Sequence, residues 1–552
     1  MACSKLFSGD IPELIEEIIK NLRYEHKTLH SCILVNRLWC HFAIPLLWED
    51  PFSIKNPKNY HFIDIYLNKL NNDDKVKLSD YGINNNNLFS SNTLFNYLSF
   101  IKNLNTHKLS YSIGQYIKTY LTPITKYRAP QLILRLKIIK FIYKSLFRIF
   151  IENEVSLYSF EVMISDYFDE VYEIILQNPN FIRNIKNFKI NLSTTISNNI
   201  TRFLIFFGSN CNSISSFYIK FPLYQQINEE NLSQFIDSQK NLEKILFRSN
   251  IYFPLYYTFL SLKNSNCSNT LNTIIFYYID FKNTLVLSEV INQLNVLESI
   301  HIVCCSSLNS NFSQQINNIH KPFKLKTLIL KTILHIESLK LLIRKSGDHL
   351  ECFGNVDCRL HKSDKSSQLL ESTLKYCNNI KFLYLQFASS YKKIDLLFSL
   401  IKNIKQNLNY LHIDVLSNIS NISISSIILK NLGQILPRKL EYLSFCLDIN
   451  DTNDLRMFYK NSQNTYIKKL SIHHSEINYN YDNVFSCTKQ CIMKQERVKY
   501  LAVTETTNRG NQNKSLSFIK DEVKQYNSYG IQVLKHRDLI IDIRNFIEQH
   551  YY

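Results

Sequence analysis

Four side chains in the last sixth of the chain have the ligand types of a zinc site: His473, His474, Cys487 and Cys491. Zinc takes imidazole nitrogen and thiolate sulfur in a tetrahedron. Their spacing argues against it. Cys-x-x-x-Cys is an unusual ligand pair, and adjacent histidines on a strand point to opposite sides. No metal and no cofactor is expected. Other chemistry leaves no motif either. The sequence holds no G-x-x-x-x-G-K-[ST] or G-x-G-x-x-G phosphate loop, no G-x-S-x-G, no H-E-x-x-H and no kinase set. A nucleophilic cysteine that meets its histidine only in space leaves no trace in sequence.

A second group of side chains is suited to binding. Phe382, Tyr410, Tyr442, Lys469 and Tyr500 recur at one position of a repeated pattern, with Tyr384 and His412 two residues after the first two, and Gln386, Asp414 and His473 further on. On adjacent parallel strands about 4.8 Å apart such residues form a ladder. Aromatic rings with polar neighbours are the usual makeup of binding hot spots. Phe382, Tyr384, Tyr410, His412, Tyr442 and Tyr500 are therefore the expected contact residues for a partner protein. The chain also carries 34 Tyr and 36 Phe, so part of such a run is composition alone.

The ladder depends on the repeat that positions it. From Leu157 onward an apolar residue, two variable, an apolar, one variable and an apolar recur: Ile185-Phe188-Ile190, Ile214-Phe217-Ile219, Leu242-Ile245-Phe247 and Leu271-Ile274-Phe276. The series continues through Leu297, Leu325, Leu350, Ile380, Leu408, Leu440 and Ile467 to Val498-Leu501-Val503, with steps of 25 to 32 residues. At Leu350-Phe353 the third place is Asn355, a departure. The last two apolar places lie on one side of a strand. Between strands, Leu287 to Leu297, Ile336 to Ile343 and Ile394 to Ile404 have helical spacing. One strand and one helix cannot bury both apolar faces alone, so the units must stack.

This pattern resembles the leucine-rich repeat, L-x-x-L-x-L-x-x-N/C-x-L. The resemblance implies an α/β solenoid of about 13 repeats over residues 151–552, with a parallel sheet on the concave face and helices on the convex face. The family's ninth position takes Asn or Cys. Here it is Asn250, Cys305 and Cys358, with Ser165, Ser193, Ser475 and Thr506 as smaller substitutes, and Ile279 and Leu416 do not match. The resemblance gives Cys305 and Cys358 a structural role.

Residues 1–51 read differently. Asp10 with Glu13 three residues on has the form of a capping box, and Pro12 suits a first turn. Leu14, Ile15, Ile18, Ile19 and Leu22 make one apolar face, Leu29, Cys32, Ile33 and Val35 a second short helix, and Leu38, Trp39, Phe42, Leu46 and Leu47 a third that stops near Pro45. Ile-Pro-Glu-Leu at 11–14, followed by Leu29, Cys32, Leu34, Val35 and Trp39, resembles the F-box. Next to leucine-rich repeats, that resemblance implies the F-box/leucine-rich-repeat family of substrate receptors in SCF-type ubiquitin ligases. It implies binding of a Skp-type adaptor, and through it a cullin complex, by Ile11, Pro12, Leu14, Ile15, Ile18, Leu34, Val35 and Trp39. The receptor itself would not be an enzyme. An unidentified substrate protein would meet the repeats. Two alternatives remain: a repeat scaffold with no ligase role, its N-terminal helices only a cap, and a basic RNA- or membrane-surface binder.

The 64 Lys and Arg against 46 Asp and Glu leave a net charge of +18, but the lysines are spread rather than clustered, so nucleic acid is not the expected partner. Residues 52–150 read as a linker with irregular helices or first repeats. Asn84 to Asn87 suits a loop, and Gln131 to Ile151 suits a packed helix with Lys140, Lys144 and Arg148 on one solvated face. No run of about 18 uncharged apolar residues suggests a membrane span. The start lacks a secretory pattern, and 13 dispersed cysteines fit a reduced compartment, cytoplasm or nucleus.

Overall fold

Each apolar triplet that the sequence repeats forms a strand, and the residue parity within it separates two sheet faces. In the computed structural model, residues 11–551 are described except 55–56, 84–92, 121–128, 193–198, 223–228, 265, 283, 356–364, 389–390, 417–421, 450, 477–483, 494–496 and 508–512. The expected loop at Asn84 to Asn87 and the ninth-position residues Ser193 and Cys358 lie outside the described residues, as do the side chains of Asn250, Leu416, Ser475 and Thr506.

The chain divides into two compact units, Met1–Asn250 with Leu260–Leu271, and Ile251–Phe259 with Asn272–Tyr552. In the first, β1 (Asn103–Asn105), β2 (Ser159–Met163), β3 (Asn187–Asn191), β4 (Ser216–Lys220) and the start of β5 (Lys244–Pro254) pair in order, all parallel. The array thus begins at Asn103, inside the stretch read as linker and irregular repeats. Helices separate the strands, and Phe188 stacks on Phe207 of the helix that follows it, with ring centroids 4.1 Å apart. The helix Ala129–Glu152 spans the expected amphipathic segment. Its Tyr143, Phe147 and Phe150 are buried while Arg148 is exposed, and Lys140 pairs with Glu170 at 2.9 Å.

In the second unit, β6 (Thr273–Asp280), β7 (Ser299–Val303), β8 (Leu325–Leu330), β9 (Cys352–Asn355), β10 (Phe382–Ala388), β11 (Tyr410–Leu416), β12 (Lys439–Leu447), β13 (Tyr466–Glu476) and β14 (Tyr500–Thr507) again pair in sequence and parallel. The register sets Leu383, Leu411, Leu443, Leu470 and Leu501 in one row, all buried. The expected helical segments form Leu287–Gln293, Ile336–Ser346 and Tyr391–Ile404. Phe445 meets Phe458 of such a helix at 5.6 Å, which identifies the helix-covered face. Gly354 in β9 has no room for a side chain: a Cβ there would come within 2.8 Å of the Tyr384 carbonyl oxygen. The thiol of Cys305 donates to the carbonyl of Phe276 at 3.5 Å, one strand back, and burial pushes its pKa up to about 12.

The N-terminal residues form α1 (Pro12–Asn21), α2 (His26–Ile33) and α3 (Arg37–Leu47) around Ile15, Ile19, Leu29, Cys32 and Ala43. Pro12 begins α1 as expected, and Ile11 stands at the N-cap position. Asp10, the first residue of the expected capping box, lies outside the described residues. Helix α3 carries Pro45 in its last turn and ends at Leu47, near the expected stop. It opens on Asn36, whose side-chain oxygen accepts the Trp39 N–H at 2.9 Å.

Candidate docking surfaces

The residues assigned to an adaptor fall into three classes. Ile11, Leu14, Leu34 and Val35 are exposed, at 38%, 47%, 77% and 45%. Pro12, Ile18 and Trp39 are half-buried. Ile15 is fully buried and belongs to the core of the module, so its place among the surface contacts is corrected: it faces inward with Ile19 because the two are four residues apart on α1. An apolar side chain exposed singly is ordinary, but four of them on one module of three short helices is a feature to be explained.

Glu49 links the module to the strands that follow, beside the packing of Trp48 on Tyr97 at 4.2 Å. Glu49, 6% exposed, accepts from the Arg23 guanidinium and from Asn103 Nδ2 at 2.7 Å, and its backbone carbonyl accepts the N–H groups of Lys102 and Asn103 at 3.0 Å. Glu49 thus ties α1–α3 to β1. The bond to Glu49 raises the pKa of Arg23 above the usual guanidinium range.

The aromatic ladder exists in register but is not open. Phe382 lies beside Tyr410, Tyr410 beside Tyr442, Tyr442 beside Lys469 and Lys469 beside Tyr500. Tyr384 stacks on His412 with ring centroids 4.2 Å apart. The expectation that these rings are exposed is corrected for Phe382 and Tyr442, each 2% exposed, and for His412, which is also buried; Tyr384, Tyr410 and Tyr500 are half-buried. What covers them is the C-terminal end of the chain. Past Gly530, which turns with φ of 74°, β15 (Gln532–Val533) pairs parallel with β14. Helices α4 (His536–Leu539) and α5 (Ile543–Tyr551) follow. Leu539 packs on Tyr442 and Ala502, and Phe546 meets Phe382 at 5.0 Å and Tyr410 at 4.9 Å. The Tyr551 hydroxyl donates to Glu351 Oε2 at 2.7 Å, and its ring lies 4.5 Å from that of His301.

Leu539, Phe546 and Tyr551 escape the repeat pattern because they lie outside its period. Their own signal is the apolar spacing of Ile543, Phe546 and Ile547, which reads only as one more amphipathic helix.

Burial governs the titratable groups on this face. Desolvation brings His301 and His412 down to about 3, with nearby Lys326 and His536 adding to it. His473 and His536 are lowered by burial too, and Ser471 Oγ lies 2.8 Å from His536 Nδ1. Burial pushes the Asp414 carboxyl up, and Gln386 Nε2 donates to it at 2.7 Å. Neutral imidazoles and thiols driven upward, such as Cys352 at about 12, suit a packed interface rather than nucleophilic chemistry. The four zinc-type residues do not converge. His474 Nδ1 accepts the Ile449 N–H at 2.9 Å, Cys487 donates to the Thr452 carbonyl at 3.6 Å, and His473 faces His536 across 5.4 Å. Among the described residues no three metal-ligand side chains gather, and no helix is long and apolar enough to cross a membrane.

No protein-family model and no curated protein matches this sequence.

Proposed function

We propose that the chain is a substrate-receptor subunit of an SCF-type cullin ubiquitin ligase. In this reading the N-terminal helices are an F-box that binds a Skp-type adaptor, and the strand–helix units are leucine-rich repeats that bind a substrate protein. The receptor makes and breaks no bonds; it holds the substrate near the ubiquitin donor and so raises its effective concentration. The observation that carries the reading is the uncovered apolar set Ile11, Leu14, Leu34 and Val35 on a module whose own core is complete without them. A helical cap that served only the repeats would turn such residues inward.

The test is co-purification with a Skp-type adaptor. Leu14 and Leu34 are both exposed, so Leu14→Asp with Leu34→Asp leaves the module's core intact. Ile18→Asp is less clean, because Ile18 is half-buried. Burying an unpaired carboxylate in an interface costs several kcal/mol. The double variant is expected to lose the adaptor while melting like the wild type. Undiminished co-purification would refute the F-box reading, and a wild-type chain that captures no adaptor would leave a repeat scaffold without a ligase role.

A further inference from the structure

The C-terminal segment raises a question that adaptor binding does not touch. It occupies the face of the second unit where a partner would meet the ladder. Between Leu539 and Tyr551 the apolar contacts concentrate on Leu539, Phe546 and Ile547, and the polar contacts to the sheet face include Tyr551 with Glu351 and with Cys352 Sγ at 3.9 Å, and Tyr277 with the Arg544 carbonyl at 3.2 Å. Helix α5 has nine residues, too short to persist in water without a surface to fold on. The fit beneath it is imperfect. His301 is fully buried against the Tyr551 ring; its Nδ1 is bonded to Thr327 Oγ1 at 2.8 Å, but its Nε2 has no hydrogen-bond partner among the described residues. A buried polar atom left unpaired subtracts from the affinity of whatever covers it.

We propose that this sheet face is a helix-binding groove that the chain keeps filled with its own residues 531–551, and that its partner is an amphipathic helix of another protein bearing a Phe and a Tyr five residues apart. The spacing is that of Phe546 and Tyr551. The phenyl ring enters between Phe382 and Tyr410, and the phenol reaches Glu351, which Lys326 and Lys381 flank at 3.3 Å and 3.0 Å. A partner helix that also gives His301 Nε2 a donor or acceptor gains what the segment lacks. The tethered segment competes at the high effective concentration of a short link, so only a partner with better contacts displaces it. This inference stands apart from the adaptor reading, since every residue it uses lies in the second unit.

The experiment uses a fluorescent peptide of residues 531–552 as probe, with anisotropy as readout. Against the intact full chain it is expected to show no binding. Against full-length Phe546→Asp, whose own segment is loosened, affinity is expected to rise at least tenfold, and a peptide with the same change is expected not to bind. A second peptide of unrelated sequence that keeps only Leu539, Phe546, Ile547 and Tyr551 in place tests the partner class and is expected to compete. In case the variant misfolds, the same assay is run on the full chain cut at a protease site inserted beside Gly530, where Tyr529 is exposed. The repeats are expected to stay cooperatively folded after the cut while the segment exchanges with the probe. Melting of the second unit once the segment is freed would overturn the proposal, showing a structural cap. So would equal binding to intact and loosened chains, failure of exchange, or failure of the four-residue peptide to compete.

Discussion

Tyr410 and Leu411 are neighbours in sequence and opposites in environment. Leu411 is fully buried on the helix-covered side, so Leu411→Ala should cost about 2–5 kcal/mol through lost burial and the cavity left behind. Strand parity alone makes Tyr410 a solvent-facing residue whose loss costs little. Its contact with Phe546 changes that. Tyr410→Ala should still cost less than Leu411→Ala, but an aromatic pair adds about 0.5–1.5 kcal/mol beyond burial. A double-mutant cycle on Tyr410 and Phe546, read by denaturant melts, should return a coupling of that size. A coupling near zero would mean the two rings meet without attraction, and equal costs for Tyr410→Ala and Leu411→Ala would contradict the parity.

At the scale of elements, the most informative junction is the one between helix α3 and strand β1. Breaking a buried pair by removing one partner costs about 3–5 kcal/mol, and less here because the Arg23 side chain is 44% exposed while that of Glu49 is 7% exposed. Glu49→Ala should therefore cost about 1–3 kcal/mol after that discount. The loss should fall on the N-terminal helices first. Hydrogen exchange is expected to speed up across residues 11–50 while β6 to β14 keep their protection; a uniform change, or none, would show that Glu49 is not a fastening point. Nothing in the sequence announces this contact, because Glu49 and Asn103 are 54 residues apart and neither belongs to a periodic pattern. What was legible is what repeats. The triplets ending at Val162, Ile190 and Ile219 predicted β2, β3 and β4 and their register, since parity and period are local properties. The short β1 was hidden, because three residues with a single buried leucine carry no alternation to count. The aromatic row was legible as a row. Its burial was not, because the covering segment comes from more than 100 residues further on for Tyr410 and Phe382.

The whole molecule carries a net charge of +18, yet several of its histidines are held neutral. His301 and His412 both drop from the ordinary 6.5 to about 3, by burial first and by the proximity of Lys326 and His536 respectively second, with Glu351 pulling His301 the other way. A folded-state pKa below the unfolded one means that the unfolded chain binds more protons between the two values. The stability that these neutral imidazoles permit is therefore complete above pH 6.5 and is lost as pH falls toward 3. Each pKa unit corresponds to about 1.4 kcal/mol, so at pH 5 each histidine should have lost about 2 kcal/mol. Two together are a large part of a typical domain's 5–15 kcal/mol. Asp414, whose carboxyl is raised by burial, gains protons on folding and works in the opposite direction, so the window from pH 7 to 5 isolates the imidazoles best. Both histidines face the side of the sheet that carries the C-terminal segment, and His301 touches it through Tyr551. Acid should consequently loosen that segment before it melts the repeats. The check is thermal melting together with hydrogen exchange of residues 531–551 at pH 7, 6 and 5, on the wild type and on His301→Asn with His412→Asn. The variant should be less stable at pH 7 but should lose less between pH 7 and 5. Parallel losses in the two proteins would assign the acid sensitivity to other groups.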